Sequence, residues 1–303
     1  MTDVRDRIAS ELLLVGKPFP PVPDGLPNKI REFLDGELNP LLDARPQTQD
    51  LPIWKSSLTS IHQCEGLFTE QLDDDFEIST EMVVGMVTHL AIQLQHQDRY
   101  TLNPKDYVEA AAEIAADDSS SADWYAQASD AKRLHVEARA TSNLEFWADT
   151  WPRMDDSIRV QGETRASVRV ANGRVRLIAK PDLVIGPIIR RDEARQAIID
   201  LKTQDRLYSE SREEAWYYAL VYLLRFGTAP HSSIIYSIPT GEWHPDPRVT
   251  EDHLMAASRR VVAGVRKMLE LSEGRKPNLT PTPATYCQWC PAKTTCEAFK
   301  RAS

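Results

Sequence analysis

The stretch "RVRLIAKPDLVIG" at residues 174–186, followed by "QAIIDLKT" at 196–203, decides how this chain is read. Both are short, β-branched apolar runs, the signature of buried strands. Just upstream, "SIRVQGETRASVRV" (157–170) alternates apolar and polar residues, and Asn172-Gly173 sits between it and the first run. Asn-Gly between alternating runs marks a β-hairpin. Downstream, Glu213–Phe226 reads as a helix rich in Trp216, Tyr217, Tyr218 and Tyr222, "HSSIIYSIP" (231–239) as another buried strand, and Gly241 as a turn. A last helix is expected over Glu251–Leu271.

The first half has a different texture. Helices are expected from Ser56 or Ser57 through Cys64 to Phe68, over Glu81–His96, over Tyr107–Ala116 and over Ser129–Trp147, with an Asp-Ser loop at 117–121. Residues 16–52 carry eight prolines, a density against long helices, although Asn28–Leu38 could form one. The expected organisation is a proline-rich N-terminal arm (1–54) wrapped on the body, a helical region (55–156), a strand-rich core (157–250) and a C-terminal helix with a cysteine motif (251–303).

Composition narrows the class. The 303 residues are 42% hydrophobic with no apolar run near eighteen residues, so a globular chain with no membrane span and no N-terminal apolar signal is expected, in the reducing cytoplasm. A net charge of −9 excludes a surface that is basic all over. A local excess does exist: Arg153 to Lys202 holds eleven Lys or Arg against seven acids. No G-x4-G-K-[ST] phosphate loop is present, so any unwinding motor would be a separate chain.

Chemistry concentrates at the ends of the two apolar strands. Asp200 and Lys202 share one face of a strand because side chains alternate, and Asp182 comes from the neighbouring strand. Two carboxylates and an ammonium suit a magnesium or manganese ion that bridges a phosphate and acidifies a water, with Lys202 orienting that water or stabilising the pentavalent phosphate. A second cluster is made of cysteines. Cys287, Cys290 and Cys296 read C-x2-C-x5-C, and Cys64 lies most of the chain's length away. Four thiolates select zinc or an iron-sulfur centre; four unconnected buried thiols are the plain alternative, and disulfides do not suit a reducing compartment.

Taken in order, "KSSLTSIHQCEGLF", "GMVTHLAIQ", "RLIAKPDLVIG", "IIDLKT", "EEAWYYALVY" and "CQWCPAKTTC" resemble the motifs of the PD-(D/E)XK nuclease superfamily. The narrower resemblance is to its RecB-type branch with a C-terminal iron-sulfur staple, which includes the AddB nuclease domain and CRISPR-associated adaptation exonucleases. It runs from about Lys55 to Phe299. It implies an α/β, restriction-endonuclease-like mixed sheet core flanked by helices, with a helical N-terminal half and a cysteine-ligated C-terminal staple.

The resemblance also implies roles. His89, in the G-x3-H of Gly85–His89, becomes a metal ligand with Asp182, Asp200 and the backbone of Leu201. Lys202 becomes the catalytic lysine, and Glu163 a water-mediated metal contact. Tyr218 is expected to contact DNA or position the lysine; the family's Gln-x3-Tyr is here Glu214-x3-Tyr218, and Lys180 stands where glycine is frequent. Tyr218 and Trp216 are the expected base-stacking side chains. Cys64, Cys287, Cys290 and Cys296 become ligands of a structural [4Fe-4S] cluster, with zinc as the alternative. The implied activity is that of a magnesium- or manganese-dependent DNA exonuclease acting on single-stranded ends, partnered by DNA and by a separate helicase, recombination or CRISPR protein. A structure-specific endonuclease and a DNA-binding assembly module are the rival readings.

Overall fold

The computed structural model describes residues 4–12, 23–43, 50–72, 78–152, 160–190, 193–207, 211–244, 246, 248–279, 284, 287 and 290–300. In chain order the elements are α1 (Val4–Arg7), which runs into a π-helical stretch at Ile8–Leu12, α2 (Leu26–Asp43), β1 (Leu51–Trp54), α3 (Lys55–Gln63) and α4 (Glu65–Glu70). There follow α5 (Thr80–Gln97), α6 (Pro104–Asp117), α7 (Ala122–Gln127), α8 (Asp130–Thr150), β2 (Val160–Gly162), β3 (Ala166–Val170), β4 (Val175–Ala179), β5 (Leu183–Arg190) and β6 (Glu193–Lys202). The chain continues with α9 (Ser211–Phe226), β7 (Ser232–Ser237), β8 (Glu242–His244), α10 (Glu251–Ser272), a 3-10 turn at Pro291–Thr294 and α11 (Glu297–Lys300).

The strands form two sheets, β1-β4-β3 and β2-β5-β6-β7-β8. β3 and β4 are the expected hairpin, closed by Ala171, Asn172 and Gly173, all at positive φ (53°, 55° and 85°). Asn and Gly tolerate that left-handed backbone best, which is why the dipeptide is legible in the sequence. β6 runs parallel to β7 and antiparallel to β5, so it is the centre of the larger sheet. Its alternation splits two cores. Ile198 faces a cluster built by α2, α3, α9 and α10 on the smaller sheet, while Ala197, Ile199 and Leu201 face the layer of α5, α6 and α8.

The N-terminal segment departs from the expected arm. Leu26–Asp43 is an eighteen-residue helix that buries Leu26, Ile30, Leu34, Leu38 and Leu42, a strict one-face spacing worth roughly 1.5–3 kcal/mol per side chain. Proline density misled because position matters more than number. Pro27 lies in the first turn, where no intrahelical N–H is needed, and Pro40 lies in the last. β1 then pairs in parallel with β4, and its Pro52 is tolerated because β1 is an edge strand. Pro18, Pro20, Pro21 and Pro46, and the expected strand start at Ser157–Arg159, lie outside the described residues. The helix expected to run from Ser57 to Phe68 breaks at Cys64, which is extended (φ −161°, ψ 123°).

One side chain ties these layers together. The Tyr217 hydroxyl on α9 donates to the Ile53 carbonyl at 2.5 Å and accepts from the Ile178 N–H at 3.1 Å, clamping β1 and β4 to the helix. Burial pushes this phenol well above the ordinary tyrosine value, so it stays a neutral donor. Tyr217→Phe should lower stability by about 1–3 kcal/mol, because it leaves buried backbone groups unpaired. An unchanged urea midpoint would rule the clamp out.

Candidate active site

The site forms where β5, β6, α3, α5 and α9 meet. β5 pairing with β6 stops at Leu183–Ile199, one residue after Asp182. The Asp182 carboxylate takes over from the missing strand: Oδ2 accepts the Leu201 N–H at 2.6 Å, and Oδ1 lies 3.2 Å from His89 Nδ1. The other ring nitrogen of His89, Nε2, is buried without a hydrogen-bond partner. A Cβ at Gly85 would come within 3.5 Å of Thr203 Oγ1, so this glycine sits where α5 passes close to the end of β6.

Asp200 is 3% exposed and carries two ammonium groups. Lys202 Nζ lies 2.6 Å from Oδ2 and Lys55 Nζ 2.9 Å from Oδ1, while the Tyr218 hydroxyl donates to Oδ1 at 2.9 Å. Glu214 completes the cluster, 3.3 Å from Lys55 and 3.8 Å from Lys202, and accepts from Thr59 Oγ1 at 3.1 Å. Burial alone would raise the Asp200 carboxyl, but Lys202 and Lys55 outweigh it and hold the group well below its usual range. The same pairing, against the opposing pull of burial, holds Lys55 well above the ordinary lysine value. Burial, then the Asp200 charge, pushes the Tyr218 phenol far up, so it acts as a neutral donor.

The sign of the resulting pH dependence follows. A depressed folded-state carboxyl contributes stability that is complete above its unfolded value, about 3.8, and is lost as the pH falls through the folded value. Urea midpoints are therefore expected to fall steeply below about pH 4, and less steeply in Lys55→Met, where one of the two cations is gone. Identical acid slopes in the two proteins would contradict the assigned pairing.

The structure thus gathers Asp182, Asp200, Lys202, His89, Tyr218 and the Leu201 backbone at one place. Glu163 stands apart from them: its carboxylate pairs with Lys180 at 2.6 Å, and its N–H, on a residue at φ 42°, donates to the Asp182 carbonyl at 3.0 Å. The expected stacking side chains are spoken for. Tyr218 is 3% exposed beneath Asp200, and Trp216 lies flat on His253 at 4.4 Å, held between α9 and α10. Lys55 received no role from the sequence. It begins a helix directly after a four-residue strand containing a proline, and such a strand has no readable periodicity.

The four cysteines line one cavity of about 220 Å³ between α4 and the C-terminal turn. Glu65, next to Cys64, fixes this approach: it is ion-paired to Arg275 at 2.8 Å and accepts the Asn278 N–H at 2.7 Å. A Cβ at Gly66 would stand 2.6 Å from Leu279 Cδ2, so a larger residue there would make the Leu279 side chain shift. The Ala284 N–H donates to Cys287 Sγ at 3.3 Å, and burial, with the other three sulfurs, pushes the Cys290 thiol up. Among the described residues no three His, Cys, Asp or Glu side chains are grouped so as to hold a metal ion. At the first cluster Lys202 and Lys55 neutralise Asp200, and at the second the four cysteines line one cavity. Nor, among the described residues, is any helix long and apolar enough to cross a membrane.

A mixed sheet that presents two aspartates and a lysine at adjoining strand ends, backed by a histidine-bearing helix, is the architecture of a phosphodiester-cleaving nuclease core. The match of residues 57–297 to the PD-(D/E)XK nuclease superfamily shows that the chain belongs to that superfamily. Among solved structures it is similar to a Eubacterium rectale protein described as a candidate exonuclease, at 13% identity and TM-score 0.45, over 82% of this chain and 87% of that one. SSO0001 is similar at 12% identity and TM-score 0.32, over 89% of this chain and 97% of the other. Comparison with curated proteins finds no match.

Proposed function

We propose that the chain is a divalent-metal-dependent DNA nuclease of the RecB type, cutting from single-stranded ends, with an iron-sulfur staple at its C-terminus. The observation that carries the reading is the buried Asp200 shared by Lys202, Lys55 and Tyr218, beside an Asp182 that is held by Leu201 and His89. The donor set fits magnesium or manganese: two carboxylates, the Leu201 backbone and an imidazole Nε2 that is buried without a partner. Bound there, the ion would supply charge neutralisation and an acidified water. The protein's own groups do the rest. Lys202, anchored on Asp200, offers its ammonium to charge that builds on the phosphate, and Tyr218 fixes the Asp200 rotamer from behind. Glu214 Oε2 bridges the Lys55 and Lys202 ammonium groups at 3.3 and 3.8 Å and so helps to hold both at Asp200.

The four cysteines line one cavity of about 220 Å³, a set of soft thiolates that suits an iron-sulfur cluster, with zinc as the alternative. Closing a loop of most of the chain's length, such a centre is structural; hydrolysis requires no redox partner.

Digestion of end-labelled linear and covalently closed single strands, with magnesium or manganese, tests the reading. Linear strands should be degraded and circles spared. Cutting of circles would establish the endonuclease alternative, and binding without any cutting would establish the assembly module.

A further inference from the structure

Away from the catalytic cluster, a cavity of about 370 Å³ is lined by Arg31, Arg169, Arg176 and Arg225, with Ser167, Val168 and Leu224, and no acidic side chain. Four arginines lining one cavity in a chain of net charge −9 require an explanation. They come from four elements: α2, β3, β4 and the last turn of α9. Arg31 donates to the carbonyls of Arg169 (2.9 Å) and Leu224 (3.3 Å), which fixes its plane and leaves further N–H groups for the cavity. Arg169 and Arg176 stand opposite each other across the hairpin and share a single carboxylate, Asp50, at 3.3 and 2.9 Å. Arginine on an edge strand can serve merely to block pairing by another chain. That purpose accounts for Arg169 but not for Arg31 and Arg225, which two helices bring to the same space.

The face leading to this cavity has the same character. Arg165, Ser167 and Arg169 are exposed, and in β3 Ser167 and Arg169 alternate with buried Ala166, Val168 and Val170. The Arg165 guanidinium lies over the ring of half-buried Trp54 at 5.1 Å, and Trp54 ends the strand whose next residue is Lys55 of the catalytic cluster. At the other end, Phe226 is 56% exposed beside Arg225. Alternating guanidinium groups and accessible rings are what a single strand needs, phosphates on the cations and bases on the rings.

We propose that the outer face of the small sheet, from Trp54 and Arg165 through Arg169 and Arg176 to the cavity of Arg31 and Arg225, binds the backbone of the single strand being cut, some nucleotides from the scissile bond. This rests on the reading of the chain as a nuclease. The span is set by α9, whose residues Glu214 and Arg225 lie at the two sites. Eleven helical steps cover about 16 Å, the length of about five nucleotides stacked at roughly 3.4 Å, the per-strand rise of duplex DNA, and of fewer in an extended strand.

The experiment is fluorescence anisotropy with labelled oligothymidylates in EDTA, where no cutting occurs. Wild-type affinity should climb with length to about five nucleotides and then level off. The double variant R169Q/R225Q, its folding checked by thermal melting, should bind a strand of about twenty nucleotides about tenfold more weakly. Its log-log salt slope should be shallower by about 1.4, at ~0.7 for each phosphate that is no longer neutralised. R225K, which keeps the charge, should bind as wild type does. Unchanged affinity and slope in a folded R169Q/R225Q, with the wild type binding normally, would overturn the track and leave the nuclease reading standing. A wild type that binds no oligonucleotide would instead overturn both.

Discussion

Lys202→Ala should lose about three orders of magnitude in cleavage rate, the scale on which one preorganised charge stabiliser is missed, with the fold intact. The structure separates this variant from Asp200→Ala, which the sequence alone would place beside it. Lys202 is about a quarter exposed, and removing it leaves Asp200 still paired with Lys55 and Tyr218. Removing Asp200 instead leaves Glu214 to balance both ammonium groups, and breaking a buried pair from one side costs up to about 3–5 kcal/mol. Asp200→Ala is therefore expected to lose both activity and stability. Single-turnover rates and urea midpoints measured together distinguish the two, and a Lys202→Ala enzyme retaining more than about a tenth of the wild-type rate would remove that lysine from the reaction.

Cys64→Ala is the second change with a large expected effect. Cys64 is the one ligand candidate that the C-terminal turn cannot supply, and it reaches the cavity only because α3 stops there and α4 restarts. Protein purified without oxygen should be brown and contain iron and sulfide, and the variant should lose most of both. Trypsin should then cut after Lys293 about tenfold faster, a local destabilisation of ~1.4 kcal/mol that precedes any effect at Asp182 or Asp200. A colourless wild type with stoichiometric zinc would refute the cluster. Full iron content in the variant would refute the staple.

How much of this is legible in the sequence follows from the range of the forces involved. The β3–β4 hairpin, the strands bearing Asp182 and Asp200, and the helices from Thr80 onward are set by local alternation, turns and caps. Ser79, Asn103, Ser129 and Thr250 each accept the N–H that marks a helix start. Asp200 and Lys202 are readable because strand parity puts them on one face, and Asp182 because it stands immediately before the apolar run of β5. Lys55 is not, since its place depends on the parallel pairing of β1 with β4, an arrangement that leaves no pattern in four residues. The burial of Tyr218 and the stacking of half-buried Trp216 on His253 are equally hidden, because an aromatic helix face looks the same whether it meets a base or a neighbouring helix. The pairing of the Glu163 carboxylate with Lys180, on a residue at φ 42°, likewise leaves no local pattern.

The pairing of Leu51 with Val175 and of Trp54 with Ile178 also has a kinetic meaning. Non-local parallel pairings form late, since the intervening chain must be closed into a loop before they reward it. A ribosome emits β1 and Lys55 long before β4, β6 and α9 exist to receive them. The early piece is thus a strand without a sheet and an ammonium without its carboxylate, unable to cut anything. Competence to hydrolyse should switch on only after residue 226 has left the exit tunnel, so a nascent or prematurely terminated chain would be harmless to the nucleic acid around it.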